Sequence, residues 1–477
     1  MSAKSYSYTI VPEIPQSYTS KLYEYINQFF LLPQKYRFAD ISQGPFFISY
    51  STVDSFGKRR LRVQASGAEQ SEQMNLTITP LVEAVPEDEI LKSKEDMDIA
   101  VDMFEDQVRK NSIFFAWEEG ETIVPETVSE KKNSPSRVLL ETQILVMAVF
   151  MTIGLILFYF IGPLVPIILL AIQFVFVFYS NKIIARTADW RITEKNPFIH
   201  ILQYPLSPGE DQPIQNIPKD TLVKLKKQIY QETIAEKGEL DCQKAHGVFS
   251  EFGIDCKQEN FMARKVNVYD VVKRTADRFG FKVPEIVISN TQAPNAAASG
   301  VSPSRGTVMI TTGTFVQLSD EEIVSVLGHE FGHLKGHDPL WLYGLSAVQY
   351  LFWFYVVFEW LQVSSVFLLI IYLWILLTIT YFISKFFEAR ADLTSAMVIR
   401  EPKVLADSLE KIGFQRLLLE RTPSFRFQEW LSFDPHPPIY FRIARLRKLD
   451  ATTIAEIKHP LMRSAEDVTK GFFDSLS

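Results

Sequence analysis

His329-Glu330-Phe331-Gly332-His333 is the stretch of this 477-residue chain whose residue types and spacing most plainly allow chemistry. Imidazoles at i and i+4 share one helical face and can grip one zinc ion, while the carboxylate between them can polarise a metal-bound water. A five-residue pattern with three fixed letters also arises by accident, so its setting matters. Ser319 can cap a helix, Asp320, Glu321 and Glu322 fill its first turn, and Ile323, Val324, Val326 and Leu327 supply a buried face, which places the motif in mid-helix. The chain has only seven histidines, and His337 extends the four-residue spacing. Three ligands on successive turns of a straight helix cannot converge on one ion, so His337 reads as a polar residue at a helix boundary.

A catalytic zinc site needs a third protein ligand beside an open position. The route through HExxHxxGxxH is closed, because Gly336 fits but Pro339 stands where the last histidine belongs. A carboxylate from another helix is the alternative. In Ser384 to Asp392 a helix would put Glu388 and Asp392 on one face. Glu388 can bind the metal, and Asp392 can accept from the far nitrogen of a ligating histidine; a solvated acidic pair is the bland reading of the same spacing.

The elements that must position these residues are partly membrane-bound. Hydrophobic content of 47% with 22% charge is rich in apolar residues, and the excess is local. Ile144 to Phe178 carries no charge, and Leu340 to Ile383 carries only Glu359. A single helix of about 35 residues would be about 52 Å long against a hydrocarbon core of about 30 Å, so each block predicts a hairpin of two spans. The turns fall at Gly162-Pro163 and at Gln362 to Ser365. Met1 to Gln16 do not read as a signal peptide. Lys131, Lys132, Arg137, Lys182, Arg186 and Arg191 flank the first hairpin, and Lys335, Lys385 and Arg390 the second. The hairpin tips lack Lys and Arg, so the N-terminus, the motif helix and the C-terminus are expected in the cytoplasm of a multi-pass cell-membrane protein. A net charge of −7 and a pI near 5.7 speak against nucleic-acid binding. Cys242 and Cys256 are then expected as free thiols, and Cys242-x-x-x-His246 matches no standard metal framework.

The expected fold class is α+β within a multi-pass α-helical membrane protein. Residues 1–117 read as an N-terminal α+β soluble domain, with a hairpin around Ser55-Phe56-Gly57 and a helix from about Glu87 to Arg109. Residues 118–137 read as a linker, 138–180 as the first hairpin and 181–265 as an extended, proline-rich wrapping segment running into a helix near Lys219. A peptidase-like region follows in two parts, 266–339 and 384–477, divided by the second hairpin at 340–383. Its first part has a helix from Val268 to Phe279 and strands at Glu285 to Ser289, Asn295 to Ala298 and Thr307 to Thr312. A small sheet beside a metal helix suits a peptidase, since an edge strand can pair with an extended substrate.

With these residues in view, the chain resembles the membrane gluzincins that include HtpX-like quality-control peptidases and the CAAX prenyl endopeptidases (peptidase family M 48). The likeness spans roughly residues 266–447 and rests on four ordered motifs: Asn295-Ala296-Ala297-Ala298, His329 to Asp338, Glu388 to Asp392, and His436-Pro437-Pro438 followed by Arg442-Ile443-Ala444-Arg445-Leu446. It implies a zinc peptidase domain of helices plus a small sheet, with one zinc per chain held by His329, His333 and Glu388 and with Asp392 behind a ligand. It further implies Glu330 as general base, His436 as oxyanion donor, and the strand of Asn295 and Ala296 as the wall of the substrate groove. The expected partners are a polypeptide substrate, a membrane protein as the favoured class, and the lipid bilayer.

The pattern is departed from at Ala297, where an aromatic is common, and CAAX endopeptidases have more spans than the four found here. The HtpX-like side is therefore favoured. A CAAX prenyl endopeptidase is the alternative within the class, and an inactive membrane adaptor acting through residues 1–117 is the alternative outside it. An adaptor has no need of Glu330, Glu388 and Asp392 together with both histidines.

Overall fold

The computed structural model describes residues 5–68, 73–83, 85–119, 153–154, 156–206, 219–236, 239–362, 365–421 and 423–476. Internal contacts divide the chain into two compact units, Met1–Trp117 with His200–Lys265, and Glu118–Ile199 with Val266–Ser477. Residues 200–265, read from sequence as part of a separate wrapping segment, thus cluster with the N-terminal region.

The first unit is built on a five-stranded antiparallel sheet, ordered Tyr6–Ile10, Met74–Pro80, Arg59–Ser66, Phe47–Val53 and Phe38–Gly44. The two-residue period explains its buried face, since Ile48 and Tyr50, Leu61, Val63 and Ala65, and Met74, Leu76 and Ile78 lie on it, with exposed or half-buried residues between them; next to Tyr50, Ser51 is buried as well. The hairpin turn forms where expected: Gly57 takes φ 76°, and the Asp54 carboxylate accepts from the N–H of Phe56 and of Lys58. Helix Glu87–Lys110 buries Ile90, Met97, Ala100, Val101, Phe104 and Val108. A smaller sheet joins Ser112–Glu118, Phe198–Pro205 and Met262–Asn267. Cys242 and Cys256 correct the free-thiol expectation: they form a disulfide, their Cα atoms 6.1 Å apart. The compartment argument says nothing of proximity, which the chain creates by reversing at Gly253 (φ 73°) after helix Cys242–Glu251.

The second unit holds a four-stranded sheet in the order Ala296–Ser299, Thr307–Thr311, Glu285–Ser289, Trp190–Ile192. Its central pair is parallel, and Ala296–Ser299 lies at one edge, antiparallel to Thr307–Thr311. Before and within the stretch expected to be extended, the chain forms helix Ser180–Thr187 and strands Trp190–Ile192 and Phe198–Pro205. Proline spacing alone did not reveal that Trp190–Ile192 would find a partner in Glu285–Ser289. Helix Val268–Phe279 stops at Gly280 in the left-handed conformation. The motif helix, Asp320–Gly336, begins with a capping box in which Ser319 and Glu322 exchange side-chain to backbone hydrogen bonds, worth roughly 1 kcal/mol.

Three apolar stretches of the described residues are long enough to cross a bilayer: Ile156–Phe178, Asp338–Val357 and Ile370–Ile399. The first contains the anticipated turn. Gly162 takes φ 67°, and Gly154 faces Leu169 across it, so the chain doubles back there. Most of the preceding arm of that hairpin, like most of the 118–137 linker, lies outside the described residues. The second hairpin reverses near Gln362 (φ 48°), between Trp360 and the start of the long helix Val366–Ile399. Phe367, Leu368, Ile370 and Trp374 point outwards on that helix, as lipid-facing residues do.

Candidate metal centre

The site forms where helix Asp320–Gly336 presses against helix Val366–Ile399. A glycine precedes each histidine of the motif helix by one position. At Gly328 an added Cβ would meet Ser395 and Ile399, at Gly332 it would lie 3.0 Å from the backbone of Ala391, and at Gly336 it would overlap the Arg390 guanidinium. These glycines strip one face of the helix of side chains, so two backbones approach closely. The adjacent face then carries His329 and His333 towards Glu388.

His329, His333 and Glu388 each contribute one donor atom to a single cluster. The two Nε2 atoms are 3.2 Å apart, His329 Nε2 lies 3.3 Å from Glu388 Oε2, and His333 Nε2 lies 3.3 Å from Glu388 Oε1. Tetrahedral zinc with bonds of about 2.0–2.1 Å requires donor separations of about 3.3–3.4 Å, and each Nε2 meets one of the two Glu388 oxygens at such a distance, one donor atom from each residue lying within 4.8 Å of the others. Glu388 Oε2 is moreover buried without a hydrogen bond, the Arg442 guanidinium standing off at 3.8 Å. Such a lone pair is costly unless a cation meets it.

Both imidazoles are held from behind. His329 Nδ1 lies 2.8 Å from Asp392 Oδ1, and Asp392 in turn takes Arg442 Nε at 2.9 Å and Nη2 at 2.7 Å. His333 Nδ1 lies 2.7 Å from Asp338 Oδ2. Each carboxylate accepts a hydrogen bond from Nδ1–H and leaves Nε2 free to present its lone pair inwards. Burial opposes a positive charge on either ring. The Glu388 carboxylate and the Asp338 hydrogen bond outweigh it at His333, and the neighbouring Asp392 and Glu388 carboxylates do so at His329. Both pKa values rise, that of His333 well above its usual level, so the cage favours a cation.

Glu330 faces the sheet. Its Oε2 accepts from Ala298 N at 2.8 Å, which shows that the outward peptide groups of the edge strand point at the metal helix. By the strand's two-residue period Ala296 shares that side. Asn295 does not: its N–H bonds Thr311 and Thr314 Oγ1, and its C=O accepts from Thr311 N and Thr314 Oγ1, while the residue itself is exposed. His436 approaches from a proline-braced turn, its Nε2 3.8 Å from Glu388 Oε2. One oxygen of Asp434 accepts from both the backbone N–H and Nδ1 of His436, and the other accepts from Arg416 Nη1. His337 is no ligand. It ends the motif helix in the left-handed conformation, with Nδ1 2.9 Å from Val301 O.

The residues that sequence reasoning passed over are Arg442, Arg390, Asp434 and Arg416, the glycine series and Ala298. Two signals were available. Glycines at 328, 332 and 336 repeat at the helical spacing, and Asp338 stands five residues beyond His333.

Residues 262–450 match the sequence profile of Peptidase family M48. A protein named Protease HtpX homolog from Desulfatibacillum aliphaticivorans is 28% identical over 257 residues, which is 45% of this chain and 82% of the relative. A namesake from Caldanaerobacter subterraneus subsp. tengcongensis is 28% identical over 213 residues, 38% of this chain and 71% of the relative. Among solved structures, Ste24p of S. mikatae shares 17% identity over 38% of this chain and 50% of its own, with a TM-score of 0.30, a likeness too weak to carry a fold assignment. In its motifs, its donor cluster and the matched span, the region 262–450 is similar to the peptidases of family M48 and to proteins named as HtpX homologues.

Proposed function

We propose that the chain is a membrane-embedded zinc endopeptidase of the HtpX-like kind, acting in quality control or processing of membrane proteins. The observation that carries this reading is the cluster of His329 Nε2, His333 Nε2 and the Glu388 carboxylate, with contacts of 3.2 to 3.3 Å and Glu330 on the same helix. Zinc bound there would polarise the scissile carbonyl and bring the pKa of a water to about 7. Glu330 takes the proton of the attacking water and returns it to the leaving amine. In the resting site its Oε2 is held by Ala298 N–H, so the carboxylate is already oriented. His436, with Nδ1 tied to Asp434, presents Nε2 as donor to the developing oxyanion.

An extended substrate would pair with the outward groups of Ala296 and Ala298, with the side chain of Asn295 at the mouth of the groove. This refines the expected Asn295 and Ala296 pair, since the peptide groups of Asn295 are already bonded within the sheet. The catalytic domain is read as two parts, 266–339 and 384–477, split by the second hairpin, with the soluble regions in the cytoplasm. The test is detergent-purified protein assayed for zinc content and casein cleavage. Glu330→Gln should retain about one zinc per chain and lose cleavage by about a hundredfold or more. Cleavage at the wild-type rate in this variant would end the enzyme reading.

A further inference from the structure

The left-handed residue His337 turns the chain so that Asp338, first residue of the helix Asp338–Leu351, comes back against His333. Had the helix continued, a residue five positions on would have pointed away. Asp338 is 3% exposed, and a polar group so buried is costly unless it is paired. Arg390 pairs with it, its Nη2 donating to Asp338 Oδ1 while Oδ2 faces His333 Nδ1 at 2.7 Å. Arg390 is itself 8% exposed, lies over the ring of Phe387, and follows the ligand Glu388 by two positions. Its guanidinium occupies the place where a side chain at residue 336 would sit: a Cβ on Gly336 would overlap its Nη2 and Cζ. The absence of a side chain at Gly336 is therefore the space that admits the arginine.

We propose that Asp338 is the positioning residue of His333, that Arg390 clamps Asp338 from the opposite helix, and that Gly336 is the notch in which the clamp seats. The inference rests on the reading of His329, His333 and Glu388 as a zinc cage. It gives the second apolar hairpin a direct part in the site, because Asp338 opens one arm and Arg390 lies on the helix that continues the other. A sideways displacement of either arm pulls on the carboxylate that orients a metal ligand.

The experiment uses the full chain in detergent and measures zinc affinity by competition with a chromogenic chelator, together with kcat at saturating zinc. Asp338→Asn and Arg390→Gln should each weaken zinc binding by about 10–100-fold and lower kcat at saturating zinc far less. Arg390→Lys should recover part of the Arg390→Gln loss. Gly336→Ala should reproduce that loss, and its double variant with Arg390→Gln should be no worse than either alone. Wild-type zinc affinity in Asp338→Asn, or fully additive losses in the double variant, would overturn the proposal. Should Asp338→Asn fail to fold, the intact protein still decides by NMR of its labelled histidines. A downfield Nδ1–H resonance of His333 supports the contact, and an unprotonated Nδ1 refutes it. Wild-type protein that binds no zinc would instead strike at the cage reading, leaving the Asp338 contact to the same resonance.

Discussion

Gly332→Ala is a one-methyl perturbation at the centre of the site. The added Cβ would stand 3.0 Å from both Cα and O of Ala391 and 3.3 Å from its Cβ, and those atoms belong to the turn between Glu388 and Asp392. Ordinary carbon contacts lie at about 3.5–4.0 Å, so the helices must part by about 0.5–1 Å. The donor cluster spans the same interface, and ligand distances tolerate only about ±0.2 Å, so parting the helices carries His329 and His333 away from Glu388 by more than the ion accepts. Alanine is the better helix former by about 1 kcal/mol, while overpacking costs about 1–3 kcal/mol. The two terms nearly offset in stability. They do not offset at the metal. Gly332→Ala should therefore change the unfolding temperature little and weaken zinc binding by on the order of 10–100-fold, with cleavage falling in step at limiting zinc. Gly247→Ala is the control, because a Cβ there meets nothing within 4 Å, and it should stabilise slightly without touching zinc. Chelator competition read beside thermal unfolding provides the measurement. Wild-type zinc affinity in Gly332→Ala would show that the closeness of these two helices does not set the ligand geometry.

His436→Ala should lower kcat by about a hundredfold with KM and zinc content nearly unchanged, because its contact strengthens as the oxyanion forms; parallel loss of zinc would make it a structural residue or a ligand. In zinc-free protein the raised pKa of His333 stabilises the fold below its unfolded value of about 6.5, and that contribution disappears as pH climbs through the higher folded pKa. The unfolding-temperature difference between metal-free wild type and metal-free His333→Gln should thus shrink from pH 6 towards pH 9, and a difference that grows with pH would reverse the assigned sign. In variants lacking Cys242 and Cys256, a cysteine at Ser365 should react with an impermeant thiol reagent on intact cells, and cysteines at Ser319 and Ser432 only after permeabilisation. The Cys242–Cys256 bond argues for the opposite side, since disulfides persist in oxidising compartments. Outside labelling at Ser319 would settle the matter in its favour.

Local chemistry made much of this protein legible from sequence. The cap at Ser319, the turn at Gly57, the stop at Gly280 and the four-residue spacing of the histidines depend on neighbours a few positions away, and they appear where the residues predicted. The apolar blocks and their turns at Gly162 and Gln362 were readable for the same reason. Glu388 and Asp392 were within reach because a helix repeats every 3.6 residues, so two acids four apart share a face. Contacts between distant segments carry no such local period. Arg442 lies 50 residues from Asp392, Arg390 lies 52 from Asp338, and Ala298 lies 32 from Glu330, so their pairing exists only once the helices and the sheet have packed. The disulfide and the clustering of residues 200–265 with the N-terminal region belong to the same class. Sequence alone determined which groups could hold a metal. Tertiary packing decided which carboxylate and which arginine stand behind each of them, because charge in a buried site is placed by whatever the fold brings within about 3 Å.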